Sequence, residues 1–199
     1  MKRILMAVAV LGAFAAAPAS AQWYVAGGVG SAQAKFGSTS PAAGVTLNGN
    51  SSRDTSWKVY GGYQFTPNWG IEAQYANLGR YSYTVTNGAA SGSGNYRADQ
   101  WSIAGTGTLP LSNDFYLMGK LGVSSNHVSG TNATAGNVTV TTTSGSKSDL
   151  LAGVGVGYNF NKNIGLRFEY ENFGKMANVS NGGGSIKGDN WALSVKYSF

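Results

Sequence analysis

Cysteine is absent from this 199-residue chain, and charged residues make up only 11% of it. The first absence excludes a disulfide framework, a thiolate metal site and a cysteine nucleophile. The second argues against a coiled coil or helical bundle, which would be rich in Ala, Glu, Lys and Leu. After Ala21 there is no stretch of 18 apolar residues, and therefore no helical membrane span. No run of Lys and Arg points to nucleic acid. What is present instead is glycine, 30 residues of it, together with 12% aromatics, more than a disordered chain carries. The class that remains is a single folded, glycine-tolerant β domain.

The amino terminus has a separate role. Met1, Lys2 and Arg3 form a short positive segment, Ile4 to Ala17 is an apolar run of secretory length, and Ala19-Ser20-Ala21 is a small-residue cleavage site before Gln22. The run is too short for the roughly 20 residues of a spanning helix. Residues 1–21 are therefore expected to be a cleaved signal peptide and residues 22–199 a single exported domain. Cleavage removes two of the positive charges behind the formal net charge of +6 and leaves the rest thinly spread.

Strand-like segments follow at 23–36, 55–65, 69–86, 96–109, 115–129, 148–160, 164–176 and 189–199. Short connections at 66–68, 110–114 and 161–163 alternate with long ones at 37–54, 87–95, 130–147 and 177–188. This pattern predicts an all-β fold, an eight-stranded antiparallel up-and-down barrel with both termini at the short-turn end.

The phase of the strands decides what surrounds the barrel. Leu166, Phe168 and Tyr170 alternate with Arg167, Glu169 and Glu171, and Trp191, Leu193, Val195, Tyr197 and Phe199 alternate with Asn190, Ala192, Ser194, Lys196 and Ser198. Phe115, Leu117, Leu121 and Val123 likewise oppose Tyr116, Met118 and Lys120, and Leu150, Val154 and Val156 oppose Gly153, Gly155 and Gly157. Glycine and charge on one face fit a narrow lumen, so the apolar face points out, into lipid. The reverse phase would place Lys120, Arg167 and Lys196 in hydrocarbon at about 2–4 kcal/mol each near the midplane. The glycines at 153, 155 and 157 sit in an alternating strand with no helix after them, which removes a dinucleotide-loop reading, and no other cofactor or metal motif is present.

Aromatic placement supports the same orientation. None of the aromatics lies in the four long connections. Trp23, Phe65, Trp69, Phe115, Phe160 and Phe199 cluster by the short turns, while Trp57, Trp101, Tyr170 and Trp191 lie one membrane depth away. Two such belts are the girdles of a transmembrane barrel.

The run Gly61-Gly62-Tyr63-Gln64-Phe65-Thr66-Pro67-Asn68-Trp69-Gly70-Ile71-Glu72, continuing to Leu78-Gly79-Arg80, resembles the second hairpin of the outer membrane protein A transmembrane domain. Leu121-Gly122, Ala152-Gly153-Val154 and Leu166-Arg167-Phe168-Glu169-Tyr170 follow in the same order and spacing. The stretch from Trp191 to Phe199 resembles the terminal aromatic signal read by the barrel-assembly machinery. The resemblance covers nearly all of the mature chain, and it implies an outer-membrane location in a Gram-negative cell with termini in the periplasm and long loops outside. It also implies contact with lipid and lipopolysaccharide, and a monomer. The periplasmic peptidoglycan-binding domain of larger relatives has no counterpart in these residues, so that function is not carried over.

The resemblance gives the inward charges a role. Lys58, Glu72, Lys120, Arg167, Glu169, Glu171 and Lys196 are expected to form a lumen ion-pair network. In the family such pairs plug the lumen and are thought to exchange partners to open a small pore. Glu72 and Arg167 occupy matching positions, but Thr106 stands where the family has a lysine, and Lys120 or Lys196 is the available substitute. A permanent plug and a gated pore both remain open at this point.

One alternative is enzymatic. His127 and Ser129 are two apart on the lipid-side phase near the outer rim, and an eight-stranded lipid A deacylase uses a similar His-x-Ser pair. The orienting carboxylate of a triad has no evident source, because Asp149, Glu169 and Glu171 are all on the inward phase. The expectation is a protein that is not an enzyme. The long connections carry almost no charge and no aromatic anchor of the kind strong binding patches use, and Arg97 and Asp99 at the rim are placed for lipopolysaccharide phosphates or bridging cations.

Overall fold

A computed structural model describes residues 22–36, 45–49, 53–87, 89–112, 114–130, 133–135, 138–140, 145–178 and 185–199. The expected leader, residues 1–21, lies outside the described residues. Eight strands form the wall: β1 (Gln22–Phe36), β3 (Arg53–Gln64), β4 (Trp69–Asn87), β5 (Ala90–Pro110), β6 (Phe115–Gly130), β9 (Gly145–Asn159), β10 (Ile164–Asn178) and β11 (Ser185–Ser198). Each pairs antiparallel with its neighbours in chain order, and β1 pairs with β11 from Tyr24↔Ser198 to Phe36↔Ile186, which closes the ring. Closure leaves no open edge, the condition for a sheet to cross lipid.

The three short turns are where the sequence places them. Thr66, Ser112 and Asn161 each use a side-chain oxygen to accept a backbone N–H three residues on, from Trp69, Phe115 and Ile164 respectively. The opposite end differs from expectation. The segment 87–95 is not a loop: β4 and β5 pair without a break from Arg80↔Arg97 to Asn87↔Ala90, so the hairpin turns tightly. Two other long connections also carry strand, β2 (Val45–Gly49) on the outer part of β4, and the hairpin of β7 (Ala133–Ala135) with β8 (Val138–Val140). Gly, Ser and Thr there have loop composition, but pairing to an already extended strand outweighs weak local propensity. With 19 residues in β4 and 21 in β5, against the roughly 9–11 that cross a bilayer, half of this hairpin projects beyond the membrane.

The described wall alternates as the phase demands. Val29, Trp101, Ile103, Leu121, Val123, Leu150 and Val154 are exposed on the outside, and Lys58, Glu72, Lys120, Arg167, Glu169 and Glu171 are buried inside. Glycine does not keep to the inner face: Gly27, Gly105 and Gly119 are on the outer one, and the Trp69 ring packs 3.3 Å from where a Cβ on Gly107 would be. Small residues are needed wherever a large ring lies over the wall, inside or out. Inside, Tyr24 covers Gly62 and Tyr116 covers Gly157, where an added Cβ would come within 2.2 and 2.0 Å of a ring carbon.

Two bulges shift the phase above the outer girdle. Apart from a further shift between Lys175 and Ala177, register breaks between Asn77 and Arg80 on β4 and between Asn172 and Lys175 on β10. At each, the glycine has positive φ, 89° at Gly79 and 64° at Gly174, and donates its N–H to the asparagine two residues before. Asp54 and Asp149 from the neighbouring strands accept the next backbone N–H, from Arg80 and Lys175. Asn-Leu-Gly-Arg and Asn-Phe-Gly-Lys are thus the same device in the two halves of the barrel. Trp23–Gly30 and Phe115–Gly122, which open those halves, also match in pattern.

Candidate functional site: a layered lumen

Three layers fill the barrel. The lowest is a cavity of about 710 Å³ at the short-turn end, lined by Gln22, Tyr24, Gln64, Thr106, Tyr116 and Lys196 among others. Its inner wall includes Arg167.

The middle layer is ionic. Lys58 donates to Glu169 and, at 3.0 Å, to Glu171. Lys120 reaches Glu72 at 3.0 Å, Glu169 at 3.3 Å and Glu171 at 2.5 Å, and also donates to Gln74 at 3.1 Å. Arg167 donates to Glu72 at 2.7 Å and to Glu169 at 3.3 Å. Three cations meet three carboxylates, all nearly solvent-free, so the layer is neutral and every member has at least two ionic partners. Removing one member would leave a buried charge uncompensated, at a cost of about 3–5 kcal/mol.

Of the seven predicted lumen charges, these six are brought together and Lys196 is not. Its ammonium sits below the layer, 5.6 Å from the Tyr24 ring and 5.2 Å from the Tyr116 ring, with no ion pair among the described residues. Lys120 takes the place open at Thr106 because the two are register partners on adjacent strands. Two tyrosines complete the layer and were missed in the sequence. Tyr24 donates its hydroxyl to Glu72 at 3.0 Å, and the Tyr60 ring lies 4.7 Å from the Arg167 guanidinium and 5.1 Å from the Lys58 ammonium. Both are on the inward phase of their strands, the signal that would have found them.

The top layer is apolar. Leu78, Tyr81, Tyr96, Val128, Leu151, Phe173 and Met176 form one buried cluster with alanines 32, 34, 76 and 98. Tyr81 and Tyr96 stack at 5.1 Å, and the Tyr81 hydroxyl donates to the Leu78 carbonyl. The bulges create this layer. Leu78 and Phe173 keep the inward phase below them, and the extra residue lets Tyr81 and Met176 turn inward above. At the second bulge the backbone N–H groups of Lys175 and Leu150 hold the Asp149 carboxyl below the usual carboxylate range.

Both aromatic belts face outward. At the short turns Phe65, Trp69, Phe115, Phe160 and Phe199 are exposed and Trp23 packs on Tyr63 at 4.7 Å. At the outer level Trp57, Tyr75 and Trp101 form a continuous row, with centroids 5.5 and 4.8 Å apart, and Tyr170 packs on Trp191 at 4.6 Å.

At the outer rim Ser129 Oγ lies 3.0 Å from His127 Nε2, and His127 Nδ1 lies 3.0 Å from Ser146 Oγ on β9. A hydroxyl therefore occupies the position of the orienting acid. Register places Asp99 directly across from His127, on the same outward phase, a neighbour that strand order alone did not reveal. Among the described residues no group of three or more His, Asp or Glu is arranged to hold a metal ion.

Comparison with known proteins adds a family to this geometry. The family model described as outer membrane protein beta-barrel domain matches residues 5–199. Comparison with curated sequences finds no match. Among solved structures, OprG from Pseudomonas aeruginosa superposes with a TM-score of 0.61 at 12% identity, covering 90% of this chain and 96% of that one. Neisserial surface protein A gives 0.55 at 15% identity, covering 89% and 97%. At such identities these two show the fold alone, whereas the family match spans almost the whole sequence. A closed eight-stranded wall, apolar outside between two aromatic belts and charged within, is thus the structure of a chain that belongs to the outer membrane protein β-barrel family and resides in the outer membrane.

Proposed function

We propose that this protein is a closed, structural barrel of the outer membrane, with termini and short turns in the periplasm and the extended hairpins outside. The wall meets lipid and lipopolysaccharide, the closing strand from Trp191 to Phe199 is the signal for the assembly machinery, and the barrel works as a monomer. The observation that carries this reading is the neutral ion layer with an apolar cluster beyond it, the polar side chains of Gln100, Asn126 and Asn190 being buried between the two. An ion pore needs a continuous polar path, and the cluster of Leu78, Leu151 and Phe173 interrupts it. None of the ion-paired residues belongs to that cluster, so partner exchange among them does not by itself open it, and the interior charges act as a plug.

The test is single-channel conductance of refolded residues 22–199 in a planar bilayer, beside Glu72→Ala and Lys120→Ala. All three are expected to be silent while running as folded, heat-modifiable barrels on gels. Discrete openings in the unsubstituted protein would overturn the closed-barrel reading, and openings in either variant would show that the ions alone seal it.

A second reading rests on the hydrogen-bonded Ser129–His127–Ser146 chain at the lipid-facing rim. It would make Ser129 the nucleophile of a lipid-ester hydrolase, with His127 as its base. A neutral hydroxyl at Nδ1 stabilises the imidazolium far less than a carboxylate does, which is why the structural reading is preferred. Loss of an acyl chain from purified lipid A, detected by mass spectrometry and abolished in Ser129→Ala, would reverse that preference.

A further inference from the structure

The ion layer balances itself, and Lys196 is left over. This lysine, Arg167 and Tyr116 all line the cavity at the short-turn end. Arg167 uses Nη1 on Glu72 and Glu169, but its Nε has no acceptor among the described residues although the side chain is only 4% exposed. The Tyr116 hydroxyl is in the same state on a residue 7% exposed. Burying such donors without partners costs roughly 1–3 kcal/mol each, so their presence at one place calls for an explanation. Arg167 and Lys196 flank a single ring, at 5.5 and 5.6 Å from the Tyr24 centroid. The carboxylate near them, Glu72, is already shared by Lys120, Arg167 and the Tyr24 hydroxyl. The other charged groups lining the cavity are Asp114 and Lys162, at its mouth on the short turns.

We propose that this cavity is a binding site for a small oxyanion of the phosphate class, entering from the short-turn side and held by the Lys196 ammonium, the Arg167 Nε–H and the Tyr116 hydroxyl. Two cationic donors and a neutral one suit a tetrahedral, doubly charged acceptor with several lone-pair directions. The strand wall separates the site from the bilayer, so the ligand is a soluble anion and not a lipid headgroup. The volume of about 710 Å³ leaves room for an organic substituent, and a phosphate monoester fits the same donors. The site needs only the lumen geometry and an opening at the short turns, and it stands whether or not the barrel conducts.

Inorganic phosphate is the probe. It is titrated calorimetrically into refolded residues 22–199 in zwitterionic micelles, with phosphorus NMR line broadening as a second readout. Saturable binding is expected, weakened about tenfold or more in Lys196→Met, the loss of one charge-assisted hydrogen bond. Tyr116→Phe keeps the ring over Gly157 and is expected to weaken binding severalfold, so the test survives if the lysine variant does not fold. Lys187→Met, an exposed position on the outer part of β11, serves as the control and is expected to bind as the parent does. No saturable binding in the parent protein, or equal affinity in parent and both cavity variants, would overturn the proposal.

Discussion

Asp149 shows how much one side chain can organise at the rim. Its two oxygens accept the backbone N–H groups of Leu150, next to it on β9, and of Lys175, and the second bond exists only while the bulge on β10 is formed. A carboxyl held below its ordinary range stabilises the folded state above the unfolded value near 4, and that contribution disappears as pH falls through the lower folded value. Asp149→Asn is therefore expected to unfold at lower urea than the parent at pH 7, with the gap closing as the pH drops below about 4. Urea unfolding in lipid vesicles, read by tryptophan fluorescence at several pH values, measures this directly. The residue scale is also where the sequence was least informative about partners. The inward phase of Lys58, Glu72, Lys120, Arg167, Glu169 and Glu171 followed from alternation alone. That Lys120 stands beside Thr106, that Asp99 faces His127, and that Lys196 falls outside the ion layer all depend on register between strands, which no single strand encodes.

Among the elements, β4 and β10 do more than span the membrane. Each carries an Asn-x-Gly bulge whose middle residue, Leu78 or Phe173, is buried in the lumen. Period-two alternation was legible along both strands as far as the bulge and lost its phase beyond it, because one extra residue reverses every face that follows. The apolar layer was hidden in the sequence for this reason. Phe173 is fully buried, and Phe173→Ala is expected to cost about 3–5 kcal/mol, the usual penalty for deleting a buried ring. Urea titration in vesicles would register it as a lowered midpoint, while conductance would stay at baseline because the ion layer is untouched. The strand in the long outer hairpins is hidden in the sequence for a different reason. Gly, Ser, Thr and Asn at 87–95 have loop composition, and the partner strand, not local preference, makes them β.

For the whole molecule, strand number, wall polarity and the two belts are all legible in the sequence, since lipid imposes them on every strand at once. The proposed orientation rests on the same asymmetry and can be checked simply because the chain has no cysteine. Ala89→Cys, at the tip of the long hairpin, is expected to react with a membrane-impermeant maleimide on intact cells, and Lys162→Cys, on a short turn, only after lysis. The reverse pattern would invert the barrel. The two halves also repeat one another, from Trp23–Gly30 and Phe115–Gly122 to the paired bulges, so both contribute to each layer of the lumen.

Stacking a neutral ionic layer beneath an apolar one has a consequence for genetics. In the proposed closed barrel a lesion in either layer leaves the other shut, so single substitutions would be silent in any selection for cells that leak. Leaky alleles would arise only as double mutants spanning both layers, at the product of two small frequencies. Permeability would then be among the last properties of this barrel to respond to mutation, well after its stability had begun to fall.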